Sequence, residues 1–242
     1  MHKYCIGILT VLLGLTASCG GSGGDDGPID VYAAASLADV FPQIDPDARF
    51  SFAGSDELAT QIREGAPADV YAAASSKYPQ ELFEAGLVEE PVTFASNRLV
   101  LVVPRRNPAA IESVEDVLQP GTRLVVAAEG VPVGDYTRTV LETLGLSAAL
   151  ENAVSNEDDV KGVAGKVALG EADAGFVYAT DVARVEGQVR VFELPEGSQP
   201  QIEYQIAVVA STEQTDEARA FIEQLRGDEG RSSLEAAGFV VP

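Results

Sequence analysis

The sequence predicts an α/β fold, a mostly parallel sheet with helices on both faces, and three observations carry that prediction. Short β-rich runs alternate with helical stretches from Ile29 onward. Several helical stretches carry their own start and stop residues. The 242 residues, 46% apolar and 22% charged, suffice for one large domain or two small ones with a real core.

In order, the strand Ile29–Ala34 ends in small residues, and Ser36 opens a helix that runs to Ile44. The strand Arg49–Phe52 follows, then Gly54-Ser55 before the helix Asp56–Glu64, whose Leu58, Ala59 and Ile62 have helical spacing. Ala68–Ala72 is a strand and Lys77–Ala85 a helix stopped by Gly86. After the strand Arg98–Val103, Ser113 and Asp116 form a variant of the capping box for the short helix Val114–Leu118. The strand Arg123–Ala127 leads to the helix Gly134–Leu144, with Gly145 as its stop, and the helix Glu157–Leu169 ends at Gly170. The run Glu157-Asp158-Asp159 reads as a charged first turn favoured by the helix dipole. The strands Ala174–Tyr178, Val189–Leu194 and Ile202–Ala210 and the helix Thr215–Leu225 complete the pattern.

Composition removes whole classes of function. The net charge of −22, from 38 acidic against 16 basic residues, argues against nucleic acid as a partner and against an electrostatic hold on anionic lipid. The only histidine is His2 and the only cysteines are Cys5 and Cys19, all near the N-terminus. Ser-His-Asp and Cys-His catalysis, histidine acid–base work, ordinary zinc sites and a disulfide framework therefore have no residues to work with. Nucleotide-binding glycine loops, EF-hand loops and the Gly-x-Ser-x-Gly elbow are absent.

Residues 1–18 have the layout of a secretory signal. Lys3 gives a positive start, and the ten-residue apolar run Ile6–Leu15 is shorter than the roughly 20 residues that a membrane span needs. Leu15-Thr16-Ala17-Ser18-Cys19 resembles a bacterial lipobox, with Leu15 four residues before the cysteine rather than three. Lipidation of Cys19 is expected, with residues 19–28 as a flexible Gly-rich tether and the mature chain anchored to the outer side of the cytoplasmic membrane, or periplasmic.

One heptapeptide occurs twice. Asp30-Val31-Tyr32-Ala33-Ala34-Ala35-Ser36 recurs 39 residues later as Asp69-Val70-Tyr71-Ala72-Ala73-Ala74-Ser75. Both copies read as a strand ending in small residues before a capping serine. The remaining chemical signal lies at helix starts: Ser36, Gly54-Ser55, Pro132-Val133-Gly134 and Asp158-Asp159-Val160. A helix N-terminus offers free N–H groups and partial positive charge, so several converging on one cleft would hold a dianion without a cationic side chain.

At these residues the sequence resembles the molybdate-binding proteins of bacterial and archaeal ABC importers. The matching stretches are Ala33-Ala34-Ala35-Ser36-Leu37, Phe52-Ala53-Gly54-Ser55, Gln61-Ile62, Gly65-Ala66-Pro67-Ala68-Asp69-Val70, Val131-Pro132-Val133-Gly134-Asp135-Tyr136, Glu157-Asp158-Asp159-Val160 and Gly170 to Tyr178. With the strand Tyr204–Val209 they cover nearly all of residues 29–242 in the family's order.

The resemblance implies a two-lobed periplasmic-binding-protein fold of type II, each lobe a mixed, mostly parallel sheet flanked by helices. Lobe one would comprise 29–104 plus 205–242, and lobe two 105–204. It implies a tetrahedral oxyanion held by neutral donors: the hydroxyl and N–H of Ser36 and of Ser55, the N–H of Val133, the N–H of Val160 and the hydroxyl of Tyr178. Ser75 would be a cap and not a ligand. It further implies a non-enzymatic monomer without a cofactor or direct protein–metal ligands. Such a protein captures molybdate, and tungstate with it, and delivers it to the permease of an ABC importer.

Two departures stand out. Asp56 follows Ser55 where the family often has a second serine, and is expected to start the helix with its side chain in water. Val133 stands where alanine is common, with only its backbone in use. Alternatives that remain open are a binder of sulfate or phosphate on the same fold, a carboxylate-based hydrolase, and an adhesive surface lipoprotein.

Overall fold

The computed structural model describes residues 27–242. The signal segment, Cys19 and most of the expected tether lie outside the described residues. Two lobes are each built around one five-stranded sheet. The strands are β1 (Asp30–Ala34), β2 (Arg49–Ala53), β3 (Val70–Ala73), β4 (Val92–Asn97), β5 (Leu99–Pro104), β6 (Leu124–Ala127), β7 (Ala153–Glu157), β8 (Ala174–Tyr178), β9 (Val189–Glu193) and β10 (Ile202–Val208). The α-helices are α1 (Phe41–Ile44), α2 (Ser55–Arg63), α3 (Lys77–Glu84), α4 (Pro132–Thr143), α5 (Val160–Leu169), α6 (Thr215–Arg226) and α7 (Asp228–Ala236).

The first sheet has the order β2-β1-β3-β10-β4 and the second β7-β6-β8-β5-β9. Both are mixed in the same way, with two parallel pairings followed by two antiparallel ones. In each, the strand antiparallel to the parallel trio sits next to the chain's passage between lobes. These passages fall at Arg98, between β4 and β5, and at residues 194–201, between β9 and β10. The expected division at 104/105 and 204/205 therefore shifts. Strand β5 pairs with β8 and β9 and belongs to the second sheet, although the sequence reading placed it in lobe one. An unbroken apolar strand buried on both faces does not say which sheet it joins.

The repeated heptapeptide has a structural counterpart. Strands β1 and β3 are parallel neighbours with Val31 opposite Val70, Tyr32 opposite Tyr71 and Ala33 opposite Ala72, so the two copies lie side by side in register. In β3, Val70 and Ala72 face the core that runs through both lobes, while Tyr71 and Ala73 face a smaller core under α2 and α3 with Leu58, Ile62 and Leu82. The glycines Gly86, Gly145 and Gly170 that end helices have φ of 70°, 71° and 76°, the left-handed conformation that favours this residue. Ser113 and Asp116 complete the capping box expected of them.

Three local expectations are corrected. The stretch Ser36–Ile44 is not one helix but a 3-10 turn, Ala35–Leu37, and the single turn α1. Pro42 has no N–H to continue the ladder and its ring obstructs the preceding turn. Glu157 ends β7, paired with Ala127, so α5 begins only at Val160 with Asp159 as its N-cap. Ser75 caps no helix: the N-cap of α3 is Ser76, which makes no side-chain capping bond, and Ser75 Oγ is buried without a partner among the described residues.

Candidate oxyanion site

The structure brings Ser36, Ser55, Val133, Val160 and Tyr178 to one cavity between the two lobes, completed by small and apolar neighbours such as Ala34, Ala74 and Pro132. Each lies at or just beyond the C-terminal end of a strand: Ser36 after β1, Ser55 after β2, Val133 after β6, Val160 after β7 and Tyr178 at the end of β8. Open α/β sheets place their ligands outside these strand ends. The cavity is small, about 20 Å³, which suits a few-atom ion.

Backbone geometry makes the lining a set of donors. Ser55 is the first residue of α2 behind the N-cap Gly54, Val133 is the second of α4 behind Val131, and Val160 is the first of α5 behind Asp159. N–H groups at these positions have no partner within their own helices, and three helix N-termini add partial positive charge. Among the described residues, no lysine or arginine lines the cavity. One carboxylate, Asp159, does, but its side chain accepts from Gly162 N at 2.9 Å and so closes its own helix.

The hydroxyls are arranged to the same end. Ser55 Oγ accepts from Ala74 N at 3.1 Å, and Tyr71 Oη donates to the Ser55 carbonyl at 2.7 Å. Ser36 Oγ lies 2.9 Å from Tyr204 Oη, deep in the core. Tyr178 is 2% exposed and its Oη has no partner among the described residues. Burial pushes the Tyr178 phenol well above its ordinary value, so it keeps its proton and remains a donor.

The lobes are closed over the cavity. Arg184 pairs with Asp39 at 2.6 Å and Lys77 with Asp135 at 3.8 Å, Tyr78 Oη donates to the Gly130 carbonyl, and Lys161 sits over the Phe52 ring at 5.2 Å. Each of these contacts joins one lobe to the other. Asn97, at the first passage between lobes, donates to Thr180 Oγ1 at 2.9 Å.

Asp56 departs from its expectation. Its side chain does not lie wholly in water: it is half-buried, and Oδ1 is buried with no partner among the described residues. Desolvation raises its carboxyl above the ordinary range, opposed by amides of its own turn and reinforced by Asp135 and Asp158 on the other lobe. It does not line the cavity. The sequence reading missed Tyr204, Asn97 and the Ala74 amide, which stand behind the two serines. A tyrosine inside an apolar strand was the available signal, because a buried phenol needs a partner.

A model of the bacterial extracellular solute-binding protein family matches residues 29–240. The chain is 38% identical over 224 residues to the molybdate-binding protein ModA of Mycobacterium tuberculosis, covering 88% of this chain and 85% of that protein. It is 32% identical over 244 residues to ModA of Haemophilus influenzae, covering 93% and 94% respectively. The periplasmic molybdate-binding protein of Azotobacter vinelandii superposes with a TM-score of 0.77 at 24% identity, over 88% of this chain and 99% of that one.

Proposed function

The chain belongs to the bacterial extracellular solute-binding proteins, transport components rather than enzymes, and we propose that its solute is molybdate, with tungstate accepted alongside it. The observation that carries this reading is the cavity of neutral donors: two serine hydroxyls with protein donors or partners behind them, three helix N-termini and an unpartnered buried phenol. Such a lining stabilises a dianion by hydrogen bonds and dipoles, and its one carboxylate, Asp159, already accepts from the Gly162 N–H. Ser36, Ser55, Val133, Val160 and Tyr178 are its ligand residues in this reading.

The cross-lobe contacts support a cycle of opening and closing. The ion enters between two lobes that turn about Arg98 and residues 194–201, and the lobes, 29–97 with 202–242 and 98–201, close over it. The loaded monomer then passes its ion to the permease of an ABC importer. Lipid on Cys19 holds it at the outer side of the cytoplasmic membrane. Calorimetric titration with molybdate, tungstate, sulfate and phosphate tests the solute. The longer metal–oxygen bonds of molybdate and tungstate should give both at least ~100-fold tighter binding than sulfate, about 2.7 kcal/mol. Sulfate binding as tightly as molybdate would overturn the assignment.

A further inference from the structure

Behind Ser36 the chain of hydrogen bonds runs on past Tyr204 to Asn97. Asn97 Oδ1 accepts from the Arg98 N–H at 2.9 Å, which leaves its Nδ2 to face both Thr180 Oγ1, at 2.9 Å, and Tyr204 Oη, at 3.4 Å. An amide nitrogen has only protons to give, so Tyr204 Oη accepts there. The phenolic proton then goes to the one other partner of that oxygen among the described residues, Ser36 Oγ at 2.9 Å. A phenol is also the better acid of the two hydroxyls, which favours the same direction. Tyr204 is fully buried, and burial pushes its phenol well above the ordinary range, so the proton stays on it. With a lone pair of Ser36 Oγ occupied from behind, the serine's own proton is left for the cavity.

We propose that Tyr204, held by Asn97, is a positioning residue that fixes the Ser36 hydroxyl as a donor toward the bound oxyanion. The inference rests on the oxyanion reading and deepens it. An isolated serine hydroxyl turns either way and can accept a proton from a ligand as well as donate one. A serine already accepting from Tyr204 is a donor in the cavity. Ser55 reaches the same state by accepting from Ala74 N. The consequence is selectivity for oxyanions that are fully ionised near neutral pH, such as molybdate and sulfate, against hydrogen phosphate, which carries a proton that needs an acceptor.

The test is a double-mutant cycle on the full folded chain, using Tyr204→Phe, Ser36→Ala and the pair, titrated calorimetrically with molybdate and with phosphate. Tyr204→Phe keeps the ring that packs edge-on against Phe94, Tyr178 and Phe239. It should weaken molybdate binding about 3- to 20-fold in the wild-type background and less than about twofold when Ser36 is already alanine. It should also narrow the preference for molybdate over phosphate by about tenfold or more, because the released serine can now accept. An equal loss in both backgrounds with an unchanged preference means that Tyr204 merely supports the fold, and overturns the proposal. Asn97→Ala, which removes the donor behind Tyr204, carries the same prediction in weaker form should Tyr204→Phe not fold. A wild type that binds no oxyanion overturns the functional reading and this inference together. A wild type that binds molybdate with no coupling between Tyr204 and Ser36 overturns this inference alone.

Discussion

Gly54 on one lobe lies against the backbone carbonyl of Asp158 on the other, so closely that a Cβ at position 54 would stand 2.6 Å from that oxygen. The backbone of Gly54, with φ −59° and ψ 140°, is one that any residue adopts. The glycine is therefore required by space and not by conformation; within its own lobe a Cβ would meet only the end of the Asp56 side chain, at 2.7 Å, whereas the Asp158 backbone across the cleft cannot turn aside. Gly54→Ala should leave the ligand-free protein folded, with a melting temperature within a few degrees of wild type. It should weaken molybdate binding by about tenfold or more, because the added methyl holds the lobes apart at the cavity. Calorimetry paired with thermal unfolding checks this, and undiminished affinity would mean that the lobes need not approach so closely.

The three serines separate by what stands behind them. Ser36→Ala and Ser55→Ala each remove a hydroxyl lining the cavity and should weaken molybdate binding about 10- to 150-fold, the range for a hydrogen bond to a charged acceptor. Ser75 is absent from the lining, and its buried hydroxyl has no partner among the described residues. Ser75→Ala should keep affinity within about threefold and leave stability unchanged or slightly raised, since an unsatisfied buried polar group is removed. A Ser75→Ala protein that bound worst of the three would reverse the assignment of the two heptapeptide copies.

The contrast between Ser36 and Ser75 marks how far the sequence reaches. Seven identical residues predict two similar strand ends, and β1 and β3 do lie side by side in register. What each serine faces depends on partners at residues 204 and 97, far along the chain, which periodicity cannot see. All strands buried within the sheets were legible, because their apolar runs are long and end in small or turn-forming residues. The two strands overlooked, β4 and β7, are both at sheet edges, where Val92–Asn97 and Ala153–Glu157 mix polar and apolar residues and exposed positions weaken the pattern. Helix α7 was overlooked for a similar reason, since only Gly230 and Leu234 of its residues are buried. The five candidate residues rest on a matching set of motifs. Composition alone could offer only helix starts, which are far more often simple caps.

Asp56 sits next to the cavity without lining it, on the seam where Asp135 and Asp158 of the other lobe approach. An ionised carboxylate there faces both those acids and the incoming dianion. Asp56→Asn should strengthen molybdate binding by about two- to tenfold at pH 7.5, and the gain should shrink in high salt as screening replaces it. Asp56→Asn should leave phosphate binding as weak as it is in the wild type, because Asp56 is not placed to accept a proton from an ion in the cavity. Phosphate binding by the wild type that disappears in Asp56→Asn would reassign both the residue and the ligand.

Asp181 follows Tyr178 in the 3-10 segment Ala179–Val185, is 3% exposed, and has an Oδ2 with no partner among the described residues. Burial pushes its carboxyl up to about 7, reinforced by Asp39 and Asp159 and opposed by Arg184 and Lys161. An unfolded aspartate titrates near 4, so between about pH 4 and pH 7 the native state holds a proton that the unfolded state releases. The sign follows directly: this group's contribution to stability is fully present below about pH 4, falls as pH rises, and levels off above about 7. The span is at most about 4 kcal/mol. Other carboxylates slope the opposite way, since Asp173 beside Arg123 and Glu157 beside Lys166 are held below their ordinary values. The quantity to read is therefore the difference between wild type and Asp181→Asn in urea denaturation at pH 5 and pH 8. The amide does not titrate, so the variant should gain on the wild type by about 2–4 kcal/mol in going from pH 5 to pH 8. Parallel profiles at the two pH values would mean that Asp181 is already ionised in the folded protein.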